Sequence, residues 1–151
     1  ILSFTTEEIF QIINPEKNSS IHLENFPKIP TNWENKKLEQ KWEKLKIIRG
    51  VVNAGIEVKR SNKDIGSSLE ADIEIYLGQE YLQHVKDINL SEYFITSKAA
   101  AKEMIKNDKI FKLDDTPEVG VLVKKAEGEK CSRCWKILGN PCDRCRDALK
   151  N

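Results

Sequence analysis

Four cysteines fall within 15 residues near the end of the chain, as Cys131-Ser-Arg-Cys134 and Cys142-Asp-Arg-Cys145, with seven residues between the pairs. A Cys-X2-Cys turn aims two sulfurs at one point, and two such turns supply the four ligands of a tetrahedral Zn²⁺. Disulfides and redox-active pairs use the same residues. However, a disulfide-stapled domain spreads its cysteines through the fold, and no thioredoxin-like strand and helix flank these. The expectation is one Zn²⁺ held by Cys131, Cys134, Cys142 and Cys145. Four protein ligands leave no open position for water or substrate, so the metal would be structural. So short a segment buries too little apolar surface to fold alone, and metal binding should supply its folding free energy. The folded segment would present Arg133, Trp135, Lys136, Arg144 and Arg146, which are cations for phosphate and a ring for an unstacked RNA base. The competing reading has Trp135 packed over the zinc site and the cations offsetting thiolate charge.

Other chemistry is hard to find. The sequence holds no Gly-rich phosphate loop, no Gly-X-Ser-X-Gly elbow and no His-Glu-X-X-His run. His22 and His84 are the only histidines and read as surface residues of a connector and a short polar helix. Glu7 and Glu8 read as helix charge. Ser67 and Ser68 beside Gly66 could offer backbone N–H groups to a phosphate, but a turn leaving a helix is the better reading.

The elements that must position the cysteines can be read from periodicity. Residues 1–13 form the end of a helical region belonging to a preceding domain, and the absence of an initiator Met fits a chain cut from something longer. Residues 14–32, with Pro15, Pro27 and Pro30, form an extended connector. Thr31 and Glu34 have the form of a capping box opening a long helix. Leu38, Trp42, Leu45, Ile48 and Val52 then recur at helical spacing as its core face. The other faces carry Lys36, Lys37, Lys41, Lys44, Lys46, Arg49, Lys59 and Arg60, a surface suited to solvent, with acid partners such as Glu39 and Glu43, or to RNA. Gly66 is expected to close this helix. Ala71, Ile73, Ile75 and Leu77 alternate with polar residues as a strand. A short helix over 79–88, strands over 92–96 and 119–123, and a helix over 98–104 complete the expectation. The class is α+β: a long amphipathic helix packed on a small mixed sheet over residues 33–126, with a four-cysteine zinc module over 127–151.

The chain is 39% hydrophobic and 32% charged, with a net charge of +1, and has no apolar run long enough to span a bilayer. Residues 121–151 carry +4, which four thiolates and a Zn²⁺ would reduce to about +2. Clustered cysteines favour a reducing, cytoplasmic setting.

Several segments in order, ILSFTTEEIF, SIHLENFP, IRGVVNAGIEVKR leading into IGSSLEA, and EKCSRCW with CDRC, resemble the C-terminal portion of bacterial isoleucyl-tRNA synthetases. The resemblance implies that residues 1–13 end the anticodon-binding helical domain, followed by a junction domain and the zinc module near the anticodon. It also implies that the catalytic domain, which uses ATP, and the editing domain lie outside these residues. The partners implied are isoleucine tRNA and the rest of the synthetase, with no membrane and no DNA. A different class of role is a purely structural zinc module that touches no RNA. The loop between the cysteine pairs is shorter than the family usually has.

Overall fold

The computed structural model describes residues 2–16, 18–140 and 142–150. The chain divides into two compact units, residues 1–35 and 36–151. In the first, helix α1 (Ser3–Ile13) is followed by two short 3-10 turns, Ile21–Leu23 and Thr31–Trp33. Glu7 organises the start of this unit. Its carboxylate accepts the Ser20 hydroxyl at 2.7 Å, the Ile21 N–H at 3.0 Å and the Gln11 amide at 2.9 Å. The Gln11 and Ser20 donors hold the Glu7 carboxyl below its ordinary value. No described residue of α1 is buried, and Phe4, Ile12 and Ile13 are largely exposed.

The second unit opens with helix α2 (Lys36–Ser61) and continues through β1 (Ala71–Leu77), α3 (Gln79–Val85), α4 (Leu90–Tyr93), β2 (Lys98–Glu103), β3 (Phe111–Lys112), β4 (Val119–Lys125) and α5 (Asp143–Ala148). The sheet order is β2-β1-β4-β3, with β1 parallel to β2 and the other pairs antiparallel. This is the expected α+β arrangement, a long helix on a small mixed sheet with the cysteines clustered beyond it. The β1 alternation is borne out: Ala71, Ile73, Ile75 and Leu77 are fully buried beneath Leu45, Ile48, Val52 and Ile56 of α2. At Gly55 the helix comes close to β4, and an added Cβ there would lie 2.5 Å from Val121 Cγ1.

Several local expectations fail. Thr31 and Glu34 form no capping box; a 3-10 turn spans Thr31–Trp33, Glu34 is extended, and α2 starts at Lys36. Leu38 and Trp42 lie on the predicted apolar face but are half-exposed; burial along that face begins only at Leu45. The helix is closed by Lys63, not Gly66. Lys63 takes a left-handed φ of 61°, while its N–H bonds Arg60 O at 2.9 Å and Asp64 N–H bonds Lys59 O at 3.0 Å, the paired bonds of a Schellman cap. Residues 92–96 end the short helix α4 and turn, whereas 98–103, the alanine-rich Lys-Ala-Ala-Ala-Lys-Glu, forms β2. Pairing along β1 overrides its helical propensity, and small side chains at Ala99 and Ala101 fit against the core. Nor, among the described residues, do Glu39 and Glu43 supply the ion-pair partners of α2: Glu80 of α3 pairs with Lys44 at 2.9 Å, Asp87 with Lys41 at 3.6 Å, Asp64 with Lys59 at 2.9 Å and Glu57 with Arg60 at 2.6 Å.

On the face of β1 opposite α2, Glu74 accepts Tyr76 Oη at 2.8 Å and the ammonium groups of Lys124 and Lys102 at 3.1 Å each. The Tyr76 hydroxyl, then the two lysines, hold the Glu74 carboxyl down to about 2. Because the folded value is depressed, its contribution is fully present above the ordinary carboxylate value of 4.5 and is lost as pH falls from there toward 2. Urea midpoints measured across that range should fall less steeply with acid in Glu74→Gln than in the parent. Parallel curves would remove Glu74 from the acid response.

Candidate metal centre and its surface

The segment after β4 turns at Gly128, whose φ of 129° requires glycine. A narrow hairpin follows: Leu138 N–H bonds Glu129 O at 3.0 Å, Cys131 N–H bonds Lys136 O at 2.9 Å, and Trp135 N–H returns to Cys131 O at 3.0 Å. This carries Cys131 and Cys134. The second pair sits on α5, with Cys142 at its N-terminal cap and Cys145 one turn along. Asn140 braces the two, its Oδ1 accepting the Ser132 N–H at 3.2 Å and hydroxyl at 3.0 Å.

The four sulfurs lie within 4.8 Å of one another, and Cys134 and Cys142 are 3.6 Å apart. That separation is far beyond a disulfide bond of about 2.05 Å. It is close to the roughly 3.8 Å between corners of a tetrahedron with Zn–S bonds of about 2.3 Å. All four thiols are free; three are buried, and they form their own small cluster. Backbone N–H groups of Cys134, Cys142 and Arg133 point at Cys131 and bring it down to about 6, whereas burial pushes Cys134 up to about 11. Four sulfurs so close cannot all ionise without a compensating cation, so the donor set suits a soft divalent metal.

The residues expected to surround the metal divide. Trp135 is 61% exposed, with its backbone at a left-handed φ of 65° and Lys130 Nζ 5.9 Å from its ring centre. Most of its surface is therefore open to solvent. Arg133 is exposed, with Nη1 3.8 Å from Cys145 Sγ. Arg144 and Arg146 are mostly exposed; the first reaches Glu92 at 3.1 Å and the second pairs with Asp143. Lys136 points inward. It is only 6% exposed, with Nζ 2.6 Å from Glu92 Oε1 and 3.3 Å from Ser91 Oγ. Sequence reasoning misses Glu92, Ser97 and Asn140. Glu92 and Ser97 lie more than 30 residues before the first cysteine, and nothing local in the sequence marks them. His22 contacts Ser3 O at 3.1 Å, and His84 lies beside Gln83. The Gly66 N–H is taken by Glu70.

A family model for the anticodon-binding domain of tRNA ligases matches residues 1–75, about half of the chain. The cysteine cluster lies outside the matched stretch. Isoleucine–tRNA ligases align along nearly the whole chain. That of Pelagibacter ubique is 44% identical over 97% of it, that of Bradyrhizobium diazoefficiens 41% over 91%, and that of Rhodopseudomonas palustris 37% over 93%. The chain belongs to the bacterial-type isoleucine–tRNA ligase family. It spans about one seventh of the length of these relatives, 15%, 14% and 14% respectively.

Proposed function

We propose that this chain is the tRNA-facing, C-terminal region of a cytoplasmic isoleucine–tRNA ligase, with its ATP-dependent catalytic and editing domains in other parts of the enzyme. Cys131, Cys134, Cys142 and Cys145 hold one structural Zn²⁺. The ordered module offers Trp135, Arg133, Arg144 and Arg146 to the anticodon side of isoleucine tRNA. Residues 1–13 close the helical anticodon-binding domain, 14–32 connect it, and 33–126 form the junction domain.

The observation that carries this reading is Trp135. A bulky residue in left-handed backbone costs on the order of 1 kcal/mol or more, and exposing its ring forgoes the gain of burial. A ring held outward at that cost, beside a lysine and near arginines, is a surface on which an unpaired base can stack. The exposed Phe4, Ile12 and Ile13 of α1 support burial against further helices of the enzyme.

The alternative, a module that only braces the protein, draws support from Lys136, whose charge is spent internally on Glu92. The two differ in salt response. With three cation–phosphate contacts, raising salt from 50 to 200 mM should weaken tRNA binding by about tenfold or more, through counterion release. Arg144→Gln and Arg146→Gln should each lower the slope of log affinity against log salt by roughly 0.7 to 1. A gel-shift titration at the two salts reads both. Unchanged slopes in both variants would favour the bracing role.

A further inference from the structure

Two polar ties dock the cysteine module on the α+β core. At one, Oε1 of Glu92 accepts Lys136 Nζ at 2.6 Å and Arg144 Nη1 at 3.1 Å. At the other, the buried Ser97 hydroxyl accepts the Ile137 N–H at 2.6 Å and donates to Leu69 O. The first has the greater leverage. Lys136 belongs to the first cysteine hairpin, where its carbonyl accepts the Cys131 N–H. Arg144 sits between the two cysteines of the second pair. One carboxylate therefore grips both halves of the metal site. Its own helix is keyed to α2, since the adjacent Tyr93 packs on Trp42 at 5.7 Å between ring centres and lies under the Arg49 guanidinium at 5.2 Å.

An exposed ion pair is worth little, and the Arg144 contact alone would fall in that class. Lys136 differs because it is only 6% exposed. A buried ammonium group stripped of its carboxylate keeps its desolvation penalty and recovers none of the attraction, so the module must lift to let it reach water. We propose that Glu92 is a positioning residue that fixes how the cysteine module sits on the core, and so the direction in which Trp135 and the arginines are presented to tRNA. The docking half stands on the geometry alone; the tRNA half rests on the function proposed above.

Glu92→Gln and Glu92→Asp, made in the zinc-loaded chain, test this through three readouts: metal per chain, amide exchange over residues 129–138, and affinity for isoleucine tRNA. Glu92→Gln should keep its metal, exchange at least tenfold faster over 129–138 with β1 and β4 unchanged, and bind tRNA about tenfold more weakly. Glu92→Asp, which restores the charge, should recover much of both losses. Parental exchange and affinity in Glu92→Gln would overturn the proposal, as would equal losses in Glu92→Gln and Glu92→Asp. Faster exchange with no tRNA binding even by the parent would uphold the docking role and sink the tRNA reading instead. Should Glu92→Gln also unfold the core, Glu92→Gln with Lys136→Met removes the stranded charge. A restored core with a still-loose module upholds the proposal, and full restoration of both overturns it.

Discussion

Cys142→Ser is expected to abolish metal binding and unfold residues 127–150 while the four-stranded core stays folded. The buried residues of the cysteine cluster are the cysteines themselves, so little apolar surface holds the module shut. Structural Zn²⁺ sites supply on the order of 10 kcal/mol of binding free energy, which in a segment this small is the folding free energy. Losing one of four ligands forfeits much of that. The core, by contrast, buries Leu45, Ile48, Ile73, Ile75, Leu77 and Val121 almost completely, in a cluster that includes no residue of the module. Elemental analysis should fall from one zinc per chain toward none. Amide exchange should lose protection over 129–149 and keep it in β1 and β4. Strong chelator should reproduce the result on the parent chain. A metal-free module that stays protected would remove the metal from the account of its folding.

The second large effect concerns α2. Gly55→Val should destabilise the core by roughly 2–3 kcal/mol, because its Cβ alone would meet Val121 Cγ1 at 2.5 Å and Phe111 Cδ1 at 3.3 Å. Both neighbours are anchored in paired strands and have little room to withdraw. Replacing a helical glycine recovers at most about 1 kcal/mol of propensity, so overpacking wins. Gly50, one and a half turns earlier and exposed, has nothing within 4 Å of a built Cβ. Gly50→Ala should therefore stabilise by up to about 1 kcal/mol. Opposite shifts in urea midpoint for two glycines of one helix are the expected result. A neutral Gly55→Val would mean that helix and sheet separate more easily than their packing suggests.

These two glycines mark where sequence reading stops. The spacing of Leu45, Ile48 and Val52 and the alternation of Ala71 to Leu77 are local patterns, so the long helix, the first strand and the α+β class were legible. The cysteine cluster was legible for the same reason, since two Cys-X2-Cys turns carry their geometry with them. What failed depended on partners distant in sequence. Residues 98–103 are helix-like until β1 offers a ladder, and Lys63 occupies a position where glycine is the usual marker. Lys136 reads as one more surface cation until Glu92, 44 residues earlier, is seen to hold it. The inward turn of Lys136 and the outward turn of Trp135 follow from the fold of the hairpin, which the spacing of its cysteines does not encode.

The most direct measurement is the affinity of the chain for isoleucine tRNA and for a noncognate tRNA, each with the metal bound and after its removal by chelator. The account predicts tighter binding of the cognate tRNA by the loaded chain, and loss of that preference when the metal is stripped and the core remains folded. Equal affinity for both tRNAs, or a preference indifferent to the metal, would contradict it.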